Sequence, residues 1–177
     1  MKWPTRVAAL LLAGVVLPSA VSARQQGPSS EIGVMIGASR YELSPTAFGG
    51  STGTGFSFNA GFTLALIRRV VLLEPSLGYS TVTTEFGKHT SWIFPELTAQ
   101  VQRTYGRVRP YVGAGIGTGT QGLTGPTHWK FTLLGLGGVR VHVGGLWGVR
   151  AEVRLRSVDP WSGHTAGFGV GFTHSSF

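Results

Sequence analysis

The chain has 177 residues and a formal net charge of +8, with 28 glycines, no cysteine and only 12 % charged side chains. The missing thiols exclude a disulfide framework and a thiolate metal centre. The glycines exceed the average share of ~7 %, follow no G-X-Y period and lie inside apolar segments, which excludes collagen and a flexible linker.

The composition favours strands. Aromatics reach 11 %, threonine is abundant, and each glycine inside a helix costs ~1 kcal/mol relative to alanine. At the amino terminus, Lys2 and Arg6 precede an eleven-residue apolar run from Val7 to Leu17, and Val21, Ser22 and Ala23 are small. This is the pattern of a secretory signal peptide over 1–23, cleaved after Ala23; eleven residues fall well short of the ~20 that span a membrane as a helix. Residues 24–177 then form one domain, with 13 Lys or Arg against 7 Asp or Glu, a formal +6.

Beyond the leader the recurring signal has period two. Phe56, Phe58, Ala60, Phe62, Leu64 and Leu66 alternate with Ser57, Asn59, Gly61, Thr63 and Ala65. Leu73, Pro75, Leu77 and Tyr79 alternate with Glu74, Ser76, Gly78 and Ser80; Ile93, Pro95, Leu97, Ala99 and Val101 alternate with Phe94, Glu96, Thr98, Gln100 and Gln102; Val149, Ala151, Val153 and Leu155 alternate with Arg150, Glu152, Arg154 and Arg156. The apolar set suits lipid, and the small or charged set suits a crowded lumen.

Eight such strands are expected, at 31–41, 55–66, 70–83, 91–104, 109–118, 129–143, 148–158 and 164–176. Their connections alternate: Arg68–Arg69, Tyr105–Val108 and Gly144–Trp147 are short, whereas Glu42–Thr54, Thr84–Thr90, Gly119–His128 and Asp159–Gly163 are mostly longer and polar or glycine-rich. Short periplasmic turns and longer external loops mark a transmembrane barrel with both chain ends periplasmic. Tyr41, Trp92, Tyr105, Trp129, Trp147 and Trp161 fall near strand ends, where amphipathic rings favour the membrane interface. The expected fold is an all-β, eight-stranded antiparallel up-and-down transmembrane β-barrel.

RPYVGAGIG at 109–117, GLGGVRVHVGGLWGVRAEVRLR at 135–156 and the terminal Phe177 together resemble the small eight-stranded outer-membrane barrels of the OmpA-like and OmpW-like group, across essentially the whole of 24–177. The resemblance implies location in the cell outer membrane of a Gram-negative bacterium. It also implies a monomer whose partners are outer-membrane lipids, lipopolysaccharide and the assembly machinery, with Phe177 as the assembly signal. Phe168, Val170 and Phe172 share a parity that Phe177 breaks, which calls for a bulge near His174–Ser176 or a variant signal. The peptidoglycan-binding domain that follows the barrel in many OmpA relatives is not expected after the eighth strand.

Other motifs are weak. Gly117-Thr118-Gly119-Thr120-Gln121-Gly122 fits G-x-G-x-x-G, but Leu123, Thr124, Gly125 and Pro126 start no helix to carry a dinucleotide, so no cofactor is expected. His89, His128, His142, His164 and His174 lack metal-ligand spacing. Asp159, Ser162 and His164 share a short loop that neither buries nor orients them, which speaks against catalysis. The barrel pattern explains the basic charge without nucleic acid; the excess at Arg24, Arg68, Arg69, Arg103, Arg107 and Arg109 gathers at the periplasmic rim, facing lipid phosphates or peptidoglycan.

The most informative polar feature is the lumen. Parity turns Glu74, Glu96 and Glu152 inward with Arg140, Arg150 and Arg154, so these should pair in the narrow interior and plug it. Across the sixth and seventh strands, a register setting Arg140 opposite Glu152 is expected over one setting it opposite Arg150, because like charges side by side destabilise. The expected function is structural or surface-interacting. The alternatives are a narrow channel or lateral conduit for small hydrophobic molecules, as the OmpW likeness implies, and an outer-membrane lipid-modifying enzyme.

Overall fold

In a computed structural model of the chain, the described residues are 30–43, 51–67, 70–84, 89–121, 129–159 and 163–176. They form β1 (Ser30–Leu43), β2 (Ser51–Ile67), β3 (Val71–Thr84), β4 (His89–Gln102), β5 (Val108–Gln121), β6 (Trp129–Gly144), β7 (Trp147–Val158) and β8 (Gly163–Ser176). Each strand pairs antiparallel with its sequence neighbours, and β1 pairs with β8, so the sheet is a closed barrel. The expected leader, Arg24, Arg68, Arg69, Trp161, Ser162 and Phe177 lie outside the described residues.

The alternation sets the faces as expected. Ile36, Phe58, Leu77, Leu97, Ile116, Leu133, Val153 and Phe168 are exposed on the outside, while Glu74, Glu96, Thr98, Gln100, Arg150 and Glu152 are buried within. No helix among the described residues is long and apolar enough to cross a membrane; the strands carry the apolar belt instead.

The strands extend beyond the apolar alternation at the end with the longer connections. The ladder of β1 and β2 runs to Leu43↔Ser51, although Glu42–Thr54 reads as a loop, because backbone pairing continues through polar and glycine residues that carry no hydrophobic signal. The opposite turns are tight. Gly106 (φ +59°) and Gly145 (φ +56°) each occupy the first central position of a two-residue hairpin loop, where a positive φ suits glycine and the II′ twist. Pro95 lacks an N–H, and the pairs Ile93↔Thr120 and Glu96↔Gly117 on either side of it keep one register with β5.

One expected irregularity is not there. β8 runs in a single register against β1 from Leu43↔Gly163 to Ser30↔Ser176, with no bulge at His174–Ser176.

Candidate functional site: the filled lumen

The inward face of β5 is a row of glycines above Tyr111. A Cβ at Gly115 would stand 2.4 Å from the Leu97 carbonyl oxygen and 2.7 Å from Thr98 Cγ2, and one at Gly117 would stand 2.9 Å from Glu96 Cγ. The row therefore seats the inward side chains of β4, and Gly117 and Gly119 of the G-x-G-x-x-G match serve packing in a strand, while Gly122–Pro126 lie outside the described residues.

Into this space project four glutamates and four arginines, forming one alternating chain along the barrel axis. At the short-turn end Arg140 Nε lies 3.1 Å from Glu31 Oε1, and its Nη2 reaches Glu74 Oε2 at 3.2 Å. Arg150 grips Glu74 with both terminal nitrogens, at 2.7 and 3.0 Å, and also binds Glu152 at 2.5 Å. Arg154 Nε donates to Glu152, while its other nitrogens reach Glu74 at 3.2 Å and Glu96 at 2.9 Å. Arg156 completes the chain on Glu96 at 2.5 and 3.0 Å.

Neutral groups add further hydrogen bonds to the chain. Thr63 Oγ1 donates to Glu74 at 2.7 Å, and Tyr111 donates to Glu152 at 2.6 Å while accepting from Arg150 Nε at 2.6 Å. Arg140 Nη2 donates to the Gln100 side-chain oxygen at 2.8 Å. The Tyr111 ring lies 4.1 Å from the Arg140 guanidinium carbon and 5.0 Å from that of Arg150. A buried charge left alone is costly, and here each of the eight has an opposite partner.

Above this chain sits an aromatic lid. Tyr41, Trp92 and Phe94 stack in series, with centroids 6.4 and 5.8 Å apart, and pack with Val82 and Val158. Arg156 stands 4.7 Å over Phe94, joining lid to charge chain, and the Tyr41 hydroxyl bonds Ser80. This corrects the expectation that Tyr41 and Trp92 belong to the outer aromatic belt: their parity is that of the lumen, and both are almost wholly buried. Tyr105, Trp129 and Trp147 are exposed on the outside at strand ends.

A second correction concerns register. Arg140 faces Arg150, and Glu152 faces Gly138. The Gly145–Leu146 turn, with a register shift between His142 and Gly144, sets the pairing. The like charges are tolerated because the Tyr111 ring lies against both guanidiniums and Glu74 bridges them. In so narrow a lumen, carboxylates from other strands are as close as cross-strand neighbours. Glu74 and Glu96 reach Arg150 and Arg154 across the barrel. Glu31 and Arg156 belong to the chain as well; both share the parity of the other lumen charges, and that parity was the signal available for them.

Two small voids adjoin the lumen among the described residues. One of about 30 Å³ adjoins Asn59, Ser80 and Arg154, and one of about 20 Å³ adjoins Gln102, Arg109 and Arg140; each has room for only one or two waters. Asp159 is held by Lys130 at 2.9 Å, and His89 Nδ1 lies 3.0 Å from Thr83 Oγ1. No group of three His, Cys, Asp or Glu among the described residues is placed to hold a metal.

The sequence profile described as "Outer membrane protein beta-barrel domain" matches residues 7–173. The chain belongs to the outer membrane protein beta-barrel domain family. None of the curated protein sequences matches it. Among solved structures, this family barrel is similar to Neisserial surface protein A (NspA), at 13 % identity and TM-score 0.69 over 86 % of this chain and 100 % of that one. It is similar to Ail, the attachment invasion locus protein of Yersinia pestis, at 16 % and 0.54 over 85 % and 99 %. It is also similar to the outer membrane enzyme PagL, at 13 % and 0.50 over 82 % and 99 %. At such identities the likeness carries the fold alone.

Proposed function

We propose that this outer-membrane barrel is exported by a cleaved leader, residues 1–23, and serves a structural or surface-interaction role with a lumen that is filled and closed to solutes. The observation that carries the proposal is the charge-neutral chain of Glu31, Arg140, Glu74, Arg150, Glu152, Arg154, Glu96 and Arg156 beneath a stacked aromatic lid, two barriers in series. Opening a path would separate several buried ion pairs at once, each a multi-kcal/mol cost. The unbroken ring of strand pairs and the small voids favour this reading over a lateral conduit, which needs a continuous apolar groove opening at a strand gap.

In a liposome-swelling assay, vesicles holding the refolded chain are expected to swell in arabinose, glycine or a small apolar alcohol no faster than empty vesicles. Swelling at a rate comparable to a porin control replaces the proposal with the channel reading.

A further inference from the structure

The formal charges of residues 24–177 fall into three groups, of which one is unbalanced. In the lumen four arginines meet four glutamates. At the end with the longer connections, Arg40 pairs with Glu42 at 3.2 Å and Lys130 with Asp159 at 2.9 Å, while Glu85 and Lys88 share the β3–β4 connection. The other basic residues are, in sequence, Arg24 ahead of β1 and Arg68, Arg69, Arg103, Arg107 and Arg109 in or beside the short turns. The turn sequences IRRVV (67–71), RTYGRVR (103–109) and VGGLW (143–147) contain no Asp or Glu. Glu31, the acidic residue described at this end, is turned inward onto Arg140. In sequence the formal +6 is thus carried ahead of β1 and in or beside the short turns; among the described residues Arg103 and Arg107 stand at that rim, the periplasmic one in barrels with this pattern of turns, while Arg109 turns inward beside Arg140.

We propose that this rim is a docking surface for the anionic headgroups of glycerophospholipids in the leaflet it meets. Arg103 and Arg107 engage phosphate oxygens, while Tyr105 and Trp147 anchor in the interfacial layer.

Depth decides the class of partner. Tyr105, Val108, Val143 and Trp147 are exposed within one or two residues of the turns, so the apolar belt reaches the rim. The β4–β5 turn is the shortest that a hairpin permits, closed by reciprocal Tyr105 and Val108 backbone bonds at 2.8 and 3.0 Å. Arg103 lies 5.2 Å over the Tyr105 ring and Arg107 is exposed beside it. The guanidiniums are thus held at headgroup depth, with no stalk that carries them out to peptidoglycan.

The test uses the refolded chain in phosphatidylcholine vesicles doped with spin-labelled phosphatidylglycerol or phosphatidylcholine, the motionally restricted lipid being read by electron paramagnetic resonance. At low salt, phosphatidylglycerol is expected to associate about five-fold more strongly than phosphatidylcholine. That preference should fall at least two-fold in the Arg103→Gln/Arg107→Gln variant and in 0.5 M salt, where charges are screened beyond a few ångströms. It should persist in Arg40→Gln/Lys130→Gln, which changes the net charge equally at the other end. Equal association of the two lipids, or a preference that the rim variant retains, overturns the proposal. So does Arg103- and Arg107-dependent sedimentation with purified sacculi in the absence of lipid preference, which assigns the rim to the cell wall. Both leaflets of these vesicles have one composition, so insertion direction does not affect the result, and the closed-lumen reading is tested separately by solute entry.

Discussion

Glu74→Gln is expected to destabilise the barrel by about 3–5 kcal/mol, the cost of leaving buried charge without its partner. The Glu74 carboxylate accepts four hydrogen bonds from three guanidiniums, those of Arg140, Arg150 and Arg154, and a fifth from Thr63. The neutral amide keeps the shape and leaves the lumen one positive charge in excess. Adding Arg150→Met restores neutrality, so the double variant should lose less than the sum of the two single losses, by about 1–3 kcal/mol. Urea unfolding of the four proteins in lipid vesicles measures this coupling, and additivity within ~0.5 kcal/mol would show that Glu74 and Arg150 do not act as a pair.

The second large effect lies on the other face. Phe58→Arg, Leu77→Arg and Val153→Arg are each expected to cost ~2–4 kcal/mol, because these exposed positions lie in the apolar belt and the guanidinium enters hydrocarbon. Conservative changes on the lumen face, such as Ser57→Ala or Thr98→Ser, should cost about 1 kcal/mol or less, the scale of one ordinary hydrogen bond. The same unfolding assay compares them. Equal costs on the two faces would reverse the inside-out assignment.

The barrel was legible because lipid and lumen impose opposite chemistry on alternate residues, so strands such as Phe56–Leu66 and Val149–Arg156 declare both existence and orientation. Strand ends were less legible: around Leu43 and Ser51, backbone pairing outlasts the apolar pattern that marks the strand in sequence. The same limit explains Tyr41 and Trp92. Aromatic identity near a strand end points to the interface, yet parity carried them inward, where they stack with Phe94. For the charge chain, parity supplied the members, but pairwise repulsion was the wrong guide to register. A hairpin's register follows its turn, and the arrangement Arg140↔Arg150 becomes tolerable only through Glu74, Glu31 and Tyr111, on strands remote in sequence. Glu31 in particular, a lone acid at the start of β1, has no local pattern that assigns it to Arg140.

The central claim is that paired charges and the aromatic lid close the lumen, and ion conductance across a planar bilayer tests it most directly. With the refolded wild-type chain in 1 M KCl, the current is expected to stay at the level of the bare membrane under applied voltages of both signs. Steady conductance steps from the wild-type protein, proportional to voltage and to the number of inserted barrels, would contradict the account.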